Sequence, residues 1–300
     1  MERRAQSIAI ALLFVASCGH ADGPLEYVSG ERAFEFLLRQ VSFGPRNPGS
    51  TGHTACASYL VEELRALADS VQLMHFQPTG SAGERLPPMT NVIGHIAPDQ
   101  EKRYLLCAHW DTRPCADRDP NPELRSQPIP GANDGASGVA VLLEVATVLR
   151  RFPPPVGVDI VFFDGEDYGE EGNLSEYFLG SGELARQWLH YRPQLGILVD
   201  MVGDRELEIP KEELSFEAAP WLVNRVWSVA DRLKERAFAN RIGPRVLDDH
   251  VPLLEVGWPV IDIIDFSYPH WHTLADTPDK CSARSLGTVS RVLVALIYDY

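Results

Sequence analysis

The sequence predicts an α/β sandwich, because apolar strands alternate with amphipathic helices along the chain. The clearest strand is residues 158–163, a run of β-branched and aromatic residues that indicates burial on most of its surface. It stops at Asp164-Gly165, a turn signal, and two adjacent carboxylates follow. Open α/β sheets place their sites at such strand ends, where loops converge. A functional site is therefore predicted around Glu166 and Asp167.

Two helices and three strands are predicted in the first third of the chain. The apolar residues of segment 31–41 recur at helical spacing, and residues 51–67 form a second amphipathic pattern. The link at residues 43–50 is rich in turn-forming glycine and proline. Residues 71–76, 91–96 and 104–108 are typical of strands, and the last of these leads to His109.

The remaining two thirds continue this alternation. Residues 139–149 are apolar on nearly every side, which predicts a buried helix, whereas residues 221–233 carry one apolar face, as a surface helix does. Further helices are predicted at residues 183–189 and 285–298, and further strands at residues 195–199 and 259–264. No strong linker and no repeat interrupts the pattern, so we predict one domain over residues 30–300.

Three segments between these elements are rich in glycine, proline or acidic residues. Residues 113–130 contain five prolines and are too long for a simple connection, so we expect them to shape the rim of a pocket. Residues 131–138 are interpreted as a glycine-rich loop, and residues 169–182 as a loop rich in glycine and acids.

The amino terminus predicts an exported protein. Two arginines precede an apolar stretch at residues 8–16, which is typical of a secretory signal and too short to span a bilayer. The signal segment 1–18 ends in a sequence that resembles a bacterial lipobox, in which the cysteine is lipidated. We therefore expect a periplasmic or outer-membrane-anchored lipoprotein whose membrane contact is a lipid on Cys18. A soluble export signal cut near Ala21 is the alternative.

Charge and cysteine content narrow the classes of protein further. The net charge of −15 argues against a nucleic-acid partner. The four later cysteines, Cys56, Cys107, Cys115 and Cys281, have no spacing that resembles a zinc cluster. Export permits a disulfide, but the sequence does not assign a pairing.

Five candidate metal ligands lie at predicted strand ends or in adjoining glycine-rich loops: His109, Asp134, Asp167, Asp200 and His272. Each alone has an ordinary structural interpretation, and their combination predicts the site. Histidine nitrogen with carboxylate oxygen, and without thiolate, is typical of a catalytic zinc. Glu166 precedes Asp167, and adjacent residues of extended chain point in opposite directions. One of these two acids can therefore face a metal and the other a substrate.

Four motifs carry a family resemblance: His109-Trp110-Asp111, Asn133-Asp134-Gly135-Ala136-Ser137-Gly138, Gly165-Glu166-Asp167 and Trp271-His272-Thr273. As an ordered set they resemble the signatures of secreted zinc aminopeptidases and of the glutaminyl cyclases that share their fold. The resemblance covers about residues 30–300. It implies a three-layer α/β/α sandwich with a central mixed sheet, the zinc exopeptidase-like fold. It also implies that Asp134, Asp167 and His272 bind zinc, and that Glu166 is the catalytic acid/base.

The two branches of this resemblance differ in their metals. In the aminopeptidases, the positions matching His109 and Asp200 complete a second zinc site, and the Asp134 position bridges both ions. In the cyclases a single zinc is kept, and the Asp200 position joins a hydrogen-bond network with the position matching Asp248. Asp248-Asp249-His250 resembles the cyclase pattern, and Trp271 resembles the tryptophan of the cyclase substrate pocket. A second pocket tryptophan of the animal cyclases is missing from residues 170–174.

The resemblance therefore implies a zinc-dependent glutaminyl-peptide cyclotransferase. Such an enzyme converts the amino-terminal glutamine of a peptide or protein to pyroglutamate and releases ammonia. Glu166, Asp200 and Asp248 would be its catalytic residues, and Trp271 would line its substrate pocket. A secreted aminopeptidase with two zinc ions is one alternative, and a non-catalytic surface-binding lipoprotein is another.

Overall fold

The computed structural model describes residues 23–170 and 172–299. The predicted signal segment, with Cys18, lies outside these residues and stays a prediction. None of the helices in the described segments is both long and apolar enough to cross a membrane.

Nine α-helices and eight strands are assigned in the described segments, together with three short 3₁₀-helices. The helices are α1 (Pro24–Tyr27), α2 (Gly30–Val41), α3 (Thr51–Leu67), α4 (Ala136–Arg151), α5 (Leu179–Gln187), α6 (Glu213–Ala218), α7 (Pro220–Leu233), α8 (His250–Glu255) and α9 (Ala283–Tyr298). The strands are β1 (Ser70–Phe76), β2 (Met89–Ile96), β3 (Arg103–His109), β4 (Gly157–Phe163), β5 (Leu195–Asp200), β6 (Ile209–Lys211), β7 (Phe238–Ile242) and β8 (Val260–Ile264).

The main sheet has six strands in the order β1-β2-β4-β3-β5-β8. β1 pairs antiparallel with β2, and β2 pairs antiparallel with β4. The neighbours β4, β3, β5 and β8 are parallel, so their carboxyl ends meet at one edge. The prediction of a central mixed sheet is therefore confirmed. β6 and β7 form a separate parallel pair.

Two apolar clusters cover the two faces of the main sheet, because successive strand residues point to opposite sides. On β3, Leu106 packs in the larger cluster, which includes buried residues of α2, α3, α4, α7 and α9. Its neighbours Leu105 and Cys107 pack in the smaller cluster with Leu184 of α5 and Leu253 of α8. Helices thus lie on both faces of the sheet, as the predicted three-layer sandwich requires.

Two helices begin three or four residues earlier than the sequence predicts. α4 starts at Ala136 and not at residue 139, and α5 starts at Leu179 and not at residue 183. A side chain on Gly138 would overlap the carbonyl oxygen of Val199, and one on Gly180 would overlap the Asn91 side chain. These glycines therefore permit close packing of a helix against the sheet, whereas the prediction treated them as loop residues.

Candidate metal centre and pocket

The carboxyl ends of the parallel strands bring all five predicted ligands together. His109 ends β3, Asp200 ends β5, Asp167 lies four residues after β4, and Asp134 precedes α4. His272 follows β8 and adopts a left-handed backbone conformation with φ +55°. The five form two groups whose ligand atoms lie within 4.8 Å of one another: Asp134 with Asp167 and His272, and Asp134 with His109 and Asp200.

The first group fits a catalytic zinc. His272 Nε2 lies 3.2 Å from Asp167 Oδ2 and 3.7 Å from Asp134 Oδ2. Neither of these carboxylate oxygens has a hydrogen-bond partner among the described residues, although both are buried. Buried carboxylates are costly without a compensating charge, and one imidazole nitrogen with two carboxylate oxygens is a donor set that zinc accepts.

The second group has a hydrogen bond across it. His109 Nε2 donates to Asp200 Oδ1 at 3.1 Å and lies 3.4 Å from Asp134 Oδ1. On the other side of the ring, His109 Nδ1 lies 3.6 Å from Asp111 Oδ1. The imidazole is thus flanked by carboxylates and is buried. This geometry is compatible both with a second metal and with a positioning contact to Asp200.

Asp276 holds the loop that carries Asp134. Its carboxylate accepts hydrogen bonds from the backbone N–H groups of Asn133 at 2.8 Å and Asp134 at 3.1 Å. The Tyr268 hydroxyl donates to the same carboxylate at 2.7 Å. Asp134 is therefore fixed through its own backbone, which leaves its side chain directed to the metal group.

Asp111 and Arg113 hold the loop that follows β4. Asp111 Oδ1 accepts from the Glu166 N–H at 3.1 Å, and its Oδ2 lies 3.5 Å from the Asp167 nitrogen. The buried Arg113 guanidinium donates from Nη1 to Asp167 Oδ1 at 2.7 Å. The other oxygen of Asp167, Oδ2, is the one that faces His272. Oδ1 of Asp167 is therefore occupied by Arg113, whereas Oδ2 is directed to the metal group.

Asp117 orients the imidazole of His272. His272 Nδ1 donates to Asp117 Oδ1 at 3.2 Å, and Arg113 Nη2 donates to Asp117 Oδ2 at 2.5 Å. The contact fixes the proton on Nδ1 and leaves Nε2 as the acceptor that a metal requires. The Trp271 ring packs against the imidazole, with its centroid 3.8 Å from that of His272.

We expect Asp117→Ala to weaken zinc binding about 10- to 100-fold, the usual effect of removing a group that orients a ligand. Asp117→Asn, which can still accept from one partner, should show a smaller loss. Competition with a fluorescent zinc chelator measures both variants against the unsubstituted protein. An unchanged zinc affinity in Asp117→Ala would contradict this orienting role.

Glu166 faces the pocket beside the metal group. Its side chain is 12% exposed, and Oε2 lies 4.0 Å from His109 Nδ1. Burial in the first place, and the Asp167 carboxylate in the second, raise the pKa of Glu166 well above its ordinary value. A raised pKa favours the exchange of a proton with a reacting group, as a general acid/base requires.

A second set of buried acids lies at the start of α8. Asp248 lines the pocket, and burial together with the Asp200 carboxylate raises its pKa well above the ordinary value. Its neighbour Asp249 points elsewhere and accepts a hydrogen bond from Ser181 Oγ at 2.6 Å. Asp262 of β8 is also buried, and neither of its carboxyl oxygens has a partner among the described residues.

The pocket itself has a volume of about 260 Å³. The predicted ligands Asp134, Asp167, Asp200 and His272 line it, and so do Glu166, Asp248 and Trp271. The Trp271 ring lies 5.1 Å from the Phe266 ring, which forms part of the rim. Arg113, Asp117 and Arg118 of the proline-rich loop also line the pocket, as predicted for the segment 113–130. His109 lies beneath this surface.

Sequence reasoning did not find the residues that support the ligands. Asp117 and Arg113 lie in the proline-rich loop, and Asp276 lies in a loop after His272. No periodicity or spacing relates them to the ligands that they contact. Asp111 is the exception, because it belongs to the His109-Trp110-Asp111 motif.

The chain is similar to known proteins both in sequence and in fold. The sequence profile of peptidase family M28 matches residues 91–297. The glutaminyl-peptide cyclotransferase of Drosophila melanogaster is 28% identical over 286 residues, which cover 85% of this chain and 77% of that protein.

Solved bacterial structures are similar over nearly their full length. The glutaminyl cyclase of Porphyromonas gingivalis is 38% identical, with a TM-score of 0.87 and coverage of 91% of this chain and 99% of that one. A leucine aminopeptidase precursor from Bacteroides thetaiotaomicron is 36% identical, with a TM-score of 0.87 and coverage of 91% and 98%. The chain belongs to peptidase family M28, in which it is similar to glutaminyl cyclases.

Proposed function

We propose that the protein is a zinc-dependent glutaminyl-peptide cyclotransferase that converts an amino-terminal glutamine to pyroglutamate and releases ammonia. One observation carries the proposal. Three carboxyl groups, those of Glu166, Asp200 and Asp248, line the same pocket as the metal group, and those of Asp200 and Asp248 are buried. The similarity to the solved glutaminyl cyclases and to the Drosophila cyclotransferase supports the same activity.

Asp134, Asp167 and His272 would hold a single zinc ion. When bound, zinc supplies Lewis-acid polarisation of the substrate's side-chain carbonyl. The rest of the reaction depends on the protein's own side chains. Their main task is to hold the substrate in the conformation in which the ring forms. The substrate's α-amine and its side-chain carbonyl belong to one residue, so a pocket that holds them together makes the attack intramolecular.

Glu166 would move the proton. The α-amine attacks the side-chain carbonyl carbon, a C–N bond forms, and the Glu166 carboxylate accepts a proton from that nitrogen. The same group then donates the proton to the side-chain nitrogen, which leaves as ammonia when its bond to carbon breaks. The raised pKa of Glu166 suits both steps.

Asp200 and Asp248 would hold the amino group of the tetrahedral intermediate. Both line the pocket, and burial together with the Asp200 carboxylate raises the pKa of Asp248. His109, which donates to Asp200 Oδ1 at 3.1 Å, would fix the orientation of this pair. Trp271 would cover the substrate and keep water from the reacting atoms.

An aminopeptidase with two metal ions is the second candidate. His109, Asp134 and Asp200 form a second group of convergent ligands, and Asp134 is common to both groups, as a bridging carboxylate would be. The similar structure from Bacteroides thetaiotaomicron is described as a leucine aminopeptidase precursor. A non-catalytic binding protein is a weaker candidate, because it would not require Glu166 beside a ligand set.

Asp248→Ala tests the cyclase against the aminopeptidase. We expect cyclisation of a glutaminyl peptide to fall sharply with zinc content unchanged, since each buried group left without a partner costs about 1–3 kcal/mol. Turnover on glutaminyl and leucyl substrates, with metal content, is measured for the unsubstituted protein and for Asp248→Ala. Leucyl cleavage that survives the substitution, in a protein that does not cyclise glutamine, would contradict the proposal.

We also propose that the protein is exported and anchored by a lipid on Cys18. The arginines and apolar stretch of the first 18 residues, and the lipobox-like sequence that ends them, support this localisation.

A further inference from the structure

Four cations line one cavity on the surface of the protein, apart from the catalytic pocket. This cavity, here called the basic cavity, has a volume of about 460 Å³ and shares no lining residue with the pocket. Its cations are Arg205 in the segment after β5, Lys234 and Arg236 in the segment after α7, and Arg284 at the start of α9. All four are exposed. The grouping is a local exception on a chain whose net charge is −15.

The four cations are also exceptional because they lack partners. None of their side chains has a hydrogen-bond partner, an ion-pair partner or an aromatic ring beneath it in the described segments. Every other arginine and lysine of these segments has at least one such partner, except Arg65 and Lys102, which line no part of the basic cavity. The charges of the cavity are therefore available to a ligand from outside the chain.

The carboxylates of the basic cavity do not balance these charges. Glu235 is already engaged, because its carboxylate accepts from Arg291 Nε at 3.0 Å and from Thr288 Oγ1 at 3.0 Å. Glu206 is the other carboxylate in the lining. Like charges around one concave surface repel each other, so an anion bound among them would lower the free energy of the arrangement.

Hydrogen bonds hold together the three segments that carry the cations. The Arg205 N–H donates to the Lys280 carbonyl at 3.0 Å, which joins the segment after β5 to the chain that leads into α9. The Ile209 N–H donates to the Ala237 carbonyl at 2.7 Å, which joins it to the segment after α7. The shape of the basic cavity therefore does not depend on the cations themselves.

The first described residues lie beside the basic cavity. The guanidinium of Arg291, which pairs with Glu235, also lies 3.5 Å from the carbonyl oxygen of Leu25 in α1. The chain from Cys18 to Leu25 spans at most about 25 Å even when it is fully extended. A lipid on Cys18 would therefore keep this side of the protein close to a membrane surface.

We propose that the basic cavity binds the phosphate groups of an anionic lipid surface, so that α1 and α9 face the lipid. Phosphate suits the cavity because the planar guanidinium of arginine matches its oxygens. Each cation near an anionic surface strengthens binding by about fivefold, and salt weakens it. The charge of the cavity carries this inference, and the orientation rests in addition on the proposed lipid anchor at Cys18.

The test measures how the protein partitions onto vesicles. The full chain with Cys18→Ser, which carries no acyl chain, is titrated with vesicles of phosphatidylcholine alone and of phosphatidylcholine and phosphatidylglycerol in equal parts. We expect the partition coefficient to be about tenfold higher on the anionic vesicles at low ionic strength. About 0.5 M sodium chloride should abolish the difference. Equal partition on both vesicles would overturn the proposal, and saturable binding of inorganic phosphate would then indicate a site for the free ion.

Two double variants locate the effect on the surface. Arg236→Gln with Arg284→Gln should reduce the preference for anionic vesicles to about twofold or less. Arg65→Gln with Lys102→Gln is the matched control, since it removes the same charge from two exposed cations outside the basic cavity. The control should keep the preference of its parent. An equal loss in both double variants would overturn the cavity as the binding surface, because net charge alone would then set the preference.

These measurements are independent of the other proposals. Vesicle partition does not require the enzyme to cyclise glutamine, and the Cys18→Ser background does not require lipidation. Failure of either of those proposals would therefore leave the predicted preference for anionic vesicles unchanged. Circular dichroism of each variant checks that the substitutions leave the fold intact.

Discussion

Glu166→Gln should bind zinc normally and lose about two to four orders of magnitude in turnover, the usual contribution of a general acid/base. Glutamine preserves the size of the side chain. It also preserves the hydrogen bond that the backbone N–H of residue 166 donates to Asp111 Oδ1 at 3.1 Å. It removes only the ability to exchange a proton. Cyclisation rate and zinc content of the purified variant are the measurements.

Asp167→Asn provides the opposite pattern for comparison. Glu166 belongs to neither group of convergent ligands, whereas Asp167 faces His272 with an oxygen that has no hydrogen-bond partner in the described segments. We therefore expect Asp167→Asn to lose zinc together with activity. Loss of zinc from Glu166→Gln, with zinc retained in Asp167→Asn, would mean that the assigned roles of these adjacent acids are reversed.

All six strands of the main sheet were predicted, and five of them, β2, β3, β4, β5 and β8, give apolar runs because they are buried along nearly their whole length, whereas the edge strand β1 is largely exposed. The predicted strand at residues 104–108, for example, matches β3 to within one residue at each end. β6 and β7 were not predicted, because they are short and carry polar residues such as Lys211 and Arg241. Their pairing depends on tertiary contacts and not on local pattern.

Glycine was the main source of error in the predicted helix boundaries. Gly138 and Gly180 were interpreted as loop residues, because glycine is common in turns. Both lie inside helices, at points where a helix approaches a carbonyl or a side chain of the sheet too closely for any larger residue. Local sequence does not distinguish a glycine required by a turn from one required by packing.

The candidate ligands were predictable from the sequence, whereas most of the residues that support them were not. His109, Asp167 and Asp200 could be placed at strand ends from sequence, and parallel strands bring such ends to one edge of a sheet. Asp117, by contrast, contacts a histidine that lies 155 positions away. Asp276 contacts the Asp134 backbone across 142 positions. Contacts of this kind follow from the path of loops, which the sequence pattern does not specify.

The number of metal ions decides which residues are indispensable. If the protein holds a single zinc, its ligands are Asp134, Asp167 and His272, and the remaining position stays open for substrate. His109 would then act only through its hydrogen bond to Asp200. If the protein holds two ions, His109 is itself a ligand, and its loss must empty the second site.

We therefore expect His272→Ala and Asp134→Ala to lose zinc and activity altogether, whereas His109→Ala should retain its zinc. Elemental analysis of the purified proteins, with cyclisation rates, separates these results. His109 and His272 make a matched pair for this test, because both are buried and both lie within 4 Å of Asp134. A general loss of folding would affect the two variants alike, and circular dichroism would detect it. Removal of half of a two-ion complement by His109→Ala would instead support the aminopeptidase, in which His109 is a ligand of the second ion.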